Sequence, residues 1–212
     1  MHHILVHGKN KQMTGNDITV SDIRNVIQGV KNGFKPDELP TAEIELRVNV
    51  SVPFFYKQCD AAVKSSELLA DSVTSTIAQT FTSDIRGAKM RSEYCSRGCC
   101  FTQTVSKRRV IQKPQDYASK VGRLRLDVQT ENITDIQFFG GYRRDKERVS
   151  FRLKCAPHWR ADFSRVETEE NNKKTRQFEI ELELDNRALV EGVDSLVLAQ
   201  EAYNALEALS II

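Results

Sequence analysis

Residues 177–184 read QFEIELEL, and this stretch decides the fold. Glu179, Glu181 and Glu183 occupy alternate positions, with Phe178, Ile180, Leu182 and Leu184 around them. A period of two marks a β-strand with unlike faces, so the carboxylates share one face and the hydrophobes the other. Neighbours on one face of a strand stand ~7 Å apart, so three bare carboxylates repel unless cations come between them. The apolar face needs a core. The acidic face needs a cationic counterpart.

A second stretch has the same construction. Residues 42–50, AEIELRVNV, put Glu43, Glu45 and Arg47 on one face and Ile44, Leu46 and Val48 on the other. The cationic complement lies between the two stretches. Lys107 and Arg109 share a strand face, as do Arg123, Arg125, Asp127, Gln129 and Glu131. Lys146, Arg148, Arg152 and Lys154 oppose Val149, Phe151 and Leu153, and Arg160, Asp162 and Ser164 share a face further on. If these strands close into one barrel with apolar faces outward, their polar faces line a lumen with a carboxylate floor and a cationic wall. Carboxylate clusters suit hard divalent cations, and Lys/Arg clusters suit phosphate oxygens. A metal bridged to a polyphosphate satisfies both.

The overall charge hides this division. The 212 residues hold 31 Lys+Arg and 29 Asp+Glu, for a net charge of +2. Split after residues 85 and 165, the chain carries −2, +11 and −7. The basic block has the alternation of strands, not the low complexity of a solvated tail. At 40% hydrophobic the chain is too apolar for disorder and long enough for a substantial core. No apolar run approaches the ~18–20 residues of a membrane span, and no secretion signal is expected. Five cysteines, an odd number, point to reduced thiols and an intracellular setting.

Ile23, Val26, Ile27 and Val30 predict a helix over 19–32, and Leu69, Val73, Ile77 and Phe81 a second over 60–82. Leu196, Ala199, Tyr203 and Leu206 predict a third over 194–209. Strands are predicted at 42–50, 87–94, 101–112, 121–131, 136–141, 147–155, 159–167 and 177–185. The expected fold is α+β: a closed antiparallel eight-stranded β-barrel with a few helices packed outside. One domain is expected over 1–212, its core about 40–185.

These segments resemble the triphosphate tunnel metalloenzymes. The glutamate strands Glu43-Ile-Glu45-Leu-Arg47 and Glu179-Ile-Glu181-Leu-Glu183 carry the likeness. The segments 105–110, 146–151 and 159–167, with Arg91 upstream, bring it nearer the fungal and protozoan type of mRNA 5′-triphosphatase, of which the kinetoplastid enzymes are small examples. The resemblance implies that Glu43, Glu45 and Glu183 hold one divalent metal, Mg²⁺ or Mn²⁺. Glu181 or Glu131 would orient the attacking water, with Asp127 and Gln129 sharing the face of Glu131. Arg91, Lys107, Lys146, Arg148 and Arg160 would grip phosphate oxygens, with Asp162 fixing the guanidinium groups and Arg47 where the family usually has Lys. Glu179 and Ser164 are additional candidates. The spacing from Arg148 to Arg160 is one residue longer than the family's.

The activity implied is hydrolysis of the γ-phosphate from triphosphate-ended RNA, the first step of cap formation, with NTP as a side substrate. A nuclear location, a monomer and a separate guanylyltransferase partner go with it, because no Lys-x-Asp-Gly element is present. The alternatives are an inorganic tripolyphosphatase of the same architecture and a non-catalytic RNA- or phosphate-binding barrel. Three glutamates on one strand oppose the last, since unneutralised carboxylates repel RNA. No Walker loop, G-x-S-x-G or H-E-x-x-H occurs. Cys95, Cys99 and Cys100 read as structural thiols beside a turn. Trp159 reads as an outward core residue, and His2, His3 and His7 carry no assignment.

Overall fold

The computed structural model describes residues 15–65, 73–85, 88–95, 101–110, 114–138, 140–170 and 173–212. Leu69, Cys99, Cys100, His2, His3 and His7 lie outside them. Helix α1, Val20–Gly33, starts at a capping box in which Thr19 and Asp22 exchange side-chain and backbone hydrogen bonds. Its Ile23, Ile27 and Val30 are buried as the spacing requires. Strand β1, Ala42–Asn49, follows, and then α2, Val52–Val63, which opens with a proline in its first turn.

Seven strands run in succession from there, with no helix between them among the described residues. They are β2 (Thr74–Ile85), β3 (Ala88–Cys95), β4 (Phe101–Arg109), β5 (Gln115–Ala118), β6 (Arg123–Thr134), β7 (Tyr142–Phe151) and β8 (Trp159–Glu170). The glutamate strand β9, Lys173–Leu184, precedes α3 (Asn186–Val190) and α4 (Ser195–Ala208). The strand order is β1-β9-β8-β7-β2-β3-β4-β6-β5, with β1 also pairing β6. That last pairing closes an eight-stranded antiparallel barrel and leaves β5 as an extra strand on the edge of β6. The expected fold class holds.

The core lies between barrel and helices. Ile44, Leu46 and Val48 of β1, Leu124, Leu126 and Val128 of β6, and Ile180 and Leu182 of β9 pack outward against the buried faces of α1 and α4. Phe55 of α2 sits 5.0 Å from Phe178 and 5.5 Å from Phe163, between ring centroids. Trp159 is buried on the outer face, as expected, and its Nε1 donates to the Leu198 carbonyl at 2.9 Å.

Four expectations need correction. The segment read as a helix over 60–82 contains the end of α2 and most of β2. Positions four apart share a face in a strand as well as in a helix, and the threonine-rich TSTIAQTFTS favours the strand. None of the described residues of 136–141 lies in a strand, and β7 begins only at Tyr142; Gly140 and Gly141 have φ of 125° and 76°, which breaks extended pairing. A Cβ on Gly141 would collide with the Thr82 carbonyl. β7 begins earlier than expected and stops at Phe151, so Arg152 and Lys154 are not on the cationic wall; Arg152 instead pairs Asp185 at 2.7 Å. In α4 the buried stripe runs through Leu198, Ala199, Ala202, Ala205 and Leu206, and Leu196 is exposed.

Candidate active site

Because the outer faces are claimed by the core, strand alternation turns every second residue inward. Cross-strand register then decides which of these meet. Glu45 of β1 lies opposite Glu183 of β9, Arg47 opposite Glu181 and Asn49 opposite Glu179. On the other side of β9, Glu183 faces Arg160 of β8, Glu181 faces Asp162, and Glu179 faces Ser164. β7 brings Arg148 beside Ser164 and Lys146 beside Val166. β6 sets Asp127 opposite Glu45 and Gln129 opposite Glu43, and further along it sets Glu131 opposite Lys107 of β4. Arg91 projects inward from β3, opposite Val105.

The lumen is a lattice of ion pairs. Lys146 Nζ donates to Glu181 Oε2 at 2.9 Å, while Arg47 Nε lies 2.6 Å from Glu181 Oε1 and its Nη2 donates to Glu45. Asp162 bridges two guanidiniums, 3.1 Å from Arg148 and 2.9 Å from Arg160 Nε. Arg160 Nη2 also donates to Glu183 at 2.7 Å. Lys107 spans Glu43, at 2.9 Å, and Glu131, which Arg91 approaches at 3.3 Å. The Ser164 hydroxyl is buried without a hydrogen-bond partner among the described residues.

Burial and charge act unequally on the carboxylates. Desolvation pushes Glu45 up to about 7, with Glu181 and Glu43 adding to the rise against Arg47 and Lys107. Glu183 is likewise pushed to about 7 by burial, with Glu43 and Asp162 adding to it. Burial would also raise Glu181, but Lys146, Arg47 and Arg148 outweigh it and hold that carboxyl well below its usual range. Glu131 is lowered in the same way, Lys107 and Arg91 overcoming burial. Lys146 is itself lowered, because burial and the nearby Arg148 outweigh Glu181. The site therefore holds two carboxylates, Glu181 and Glu131, that neighbouring cations keep ionised, and two, Glu45 and Glu183, that burial leaves short of compensating charge.

All the expected site residues with described side chains lie on the inner face; the side chain of Arg109 is not among them. Two inner groups escaped the sequence reading. Arg144, on the face of Lys146 and Arg148, donates to buried Glu179 at 3.2 Å. Glu93 meets Arg91 at 3.2 Å and accepts from Gln103 at 3.1 Å. The signal for Arg144 was its place two residues before Lys146, missed with the early start of β7. Among the described residues no three carboxylate, His or Cys side chains stand close enough to hold a metal, because each glutamate is turned to a cation. The donor set still fits a hard divalent ion: Glu45 and Glu183 are adjacent in register, are all-oxygen ligands, and lack charge compensation that such an ion would provide.

Residues 123–209 match the family described as mRNA capping enzyme, beta chain. Over this segment the chain is similar to the mRNA triphosphatase family. The match runs from β6 to the end of α4, so the matched segment contains Lys146, Arg148, Asp162 and the whole β9 carboxylate row, while β1 to β4 complete the barrel from outside it. No curated protein matches the chain. Among solved structures, the Schizosaccharomyces pombe Pct1 RNA triphosphatase is similar over 100% of this chain and 98% of its own, at 12% identity and a TM-score of 0.69. The mimivirus capping enzyme triphosphatase is similar over 90% and 96%, at 14% identity and a TM-score of 0.63. These likenesses carry the tunnel fold across the whole chain. The family match supports mRNA 5′-triphosphatase function, a hydrolytic activity.

Proposed function

We propose that this chain hydrolyses the γ-phosphate of triphosphate-ended RNA inside the barrel, leaving a diphosphate end for capping. The observation that carries this reading is that Lys146 meets Glu181 and Arg160 meets Glu183 inside the barrel, with Glu45 opposite Glu183 in register and Arg148 tied to Arg160 through Asp162. Glu43, Glu45 and Glu183 would hold Mg²⁺ or Mn²⁺. When bound, the ion neutralises charge on the transferred phosphoryl group. Arg91, Lys107, Lys146, Arg148 and Arg160 bind phosphate oxygens, and Arg47 screens the acidic floor between Glu45 and Glu181. Asp162 is a positioning residue that holds Arg148 and Arg160 together. Glu181, held ionised by its cations, would accept a hydrogen bond from the attacking water and orient it; Glu131, with Asp127 near Glu45, is the other candidate for that role. Catalysis then rests on alignment and charge stabilisation in a site shielded from bulk water.

NTP hydrolysis as a side activity, one domain over 1–212, a monomeric state, a nuclear location and a separate guanylyltransferase belong to the same reading. The Pct1 RNA triphosphatase has been seen in complex with the Spt5 CTD, and a partner of that kind belongs to the same reading. No helix among the described residues is long and apolar enough to cross a membrane. The test is phosphate release from triphosphate-ended RNA with and without Mn²⁺ or Mg²⁺, in wild type and in Glu45→Ala and Glu181→Ala. Activity should need the metal and fall at least about 100-fold in each variant. Metal-independent turnover, or full activity in both variants, defeats the proposal. Inorganic tripolyphosphate turned over far faster than RNA would keep the tunnel chemistry and remove the capping role.

A further inference from the structure

The two ends of the tunnel carry opposite charge. One mouth, a cavity of about 330 Å³, is lined by Glu43, Glu131, Glu183 and Asp185, with Arg160 as its cation. The other, about 340 Å³, is lined by Arg47, Arg123, Arg125 and Arg144, with Glu179 as its acid and Tyr142 beside them. Six residues of β1 separate Glu43 from Asn49, about 20 Å of strand, so the mouths are distinct places.

We infer that the RNA chain enters and stays at the arginine mouth, where Arg123 and Arg125 grip phosphates downstream of the triphosphate and Tyr142 stacks on a nucleobase. This rests on the function proposed above. Three observations support it. The arginine rim sets four guanidiniums against one carboxylate and attracts a polyanion, whereas the other rim carries a single guanidinium among acidic groups and offers it little. From the arginine mouth, the inner face of β7 presents Tyr142, Arg144, Lys146 and Arg148 at successive alternate positions, a ladder of cations spaced ~7 Å apart that leads to the carboxylates of β9. Tyr142 heads that ladder and is 43% exposed, which leaves its ring face open to a single-stranded base.

The arginines are held in place from outside the barrel. Asp116, on the extra strand β5, contacts Arg123 and lies 3.4 Å from Arg125. β5 pairs with β6 at these residues, Asp116 opposite Arg125 and Ala118 opposite Arg123. Their side chains remain 60% and 43% exposed, so Asp116 orients them without closing off their donors.

The test is binding of a triphosphate-ended single-stranded decanucleotide, with inorganic tripolyphosphate as competitor, to wild type, Arg123→Ala/Arg125→Ala, Tyr142→Ala and Asp116→Asn. The double arginine variant should bind RNA about tenfold more weakly, and its salt slope should fall by about 1.4, for two phosphate contacts on a single strand. Tyr142→Ala should lose about fivefold or more. Tripolyphosphate affinity should be unchanged in both, because it reaches only the inner cations. Asp116→Asn should leave RNA binding intact or tighten it. Equal weakening toward RNA and tripolyphosphate, unchanged RNA binding in the double variant, or the same loss in Asp116→Asn would overturn the inference. Wild-type turnover of the RNA, measured in parallel, judges the capping function separately. RNA-selective binding loss with no turnover would keep the mouth assignment and remove that function.

Discussion

Each charged side chain in the lumen depends on one or two partners of opposite sign. Glu179 is buried and pairs with Arg144, so Arg144→Ala leaves a buried carboxylate without its cation. Loss of one member of a buried pair costs about 3 kcal/mol, and Arg144's partial exposure puts the expected value toward the lower end. Thermal unfolding should show Arg144→Ala destabilised and the further change Glu179→Gln largely restoring it; no restoration would mean that Arg144 stabilises by packing. Glu45 and Glu183 yield a pH prediction. Their folded values near 7 lie above the unfolded carboxylate value, so the folded metal-free protein holds protons that the unfolded chain releases. Stability in chelator should therefore be greatest at about pH 5 and decline as pH rises to about 7.5, by an amount on the order of a few kcal/mol. Glu45→Gln/Glu183→Gln should flatten that decline. A wild-type profile that rises over this window would contradict the assignment of the raised values.

The elements show where local pattern suffices and where it does not. β1 and β9 were legible because acid and hydrophobe alternate without interruption, and a buried outer face enforces that register. β2 was not legible, since Ile77 and Phe81 lie four apart and satisfy either period until neighbours β3 and β7 claim the strand's backbone groups. The stripe of α4 was misplaced for a related reason. Its small residues Ala199, Ala202 and Ala205 face the barrel and α1, so close approach, not bulk, marks the buried side. Trp159 links these layers through its hydrogen bond to the Leu198 carbonyl. Trp159→Phe should cost about 2–3 kcal/mol, from the orphaned carbonyl and the lost ring volume, measured by chemical denaturation. A change under about 0.5 kcal/mol would show that the α4 contact does not depend on this bond.

For the whole molecule, the separated charges become a single compensated interior. Fixed arginines and carboxylates meet one another inside the barrel, and a metal with a polyphosphate offers both sets better partners. Tripolyphosphate with Mn²⁺ at about 100 times its dissociation constant should stabilise the protein by about 2.7 kcal/mol, roughly 5–10 °C in a chain of this size. The shift should vanish with chelator present and in Lys146→Ala/Arg148→Ala. A shift that persists in that variant would place the polyphosphate outside the tunnel.

The sequence by itself determined β1, β9 and most of the basic strands, their two-faced character and the inventory of charges, because alternation and burial are local consequences of side-chain chemistry. It also carried the likeness to the tunnel enzymes, through the order of Glu43, Glu45, Lys107, Arg148, Arg160 and Glu181. Only the tertiary structure decided which charges meet. Register is set by hydrogen bonding between strands distant in the chain, and it put Arg144 against Glu179 and Asp162 between Arg148 and Arg160. The closing pair β1–β6 likewise separated an acidic mouth from an arginine mouth, a polarity that no single strand contains.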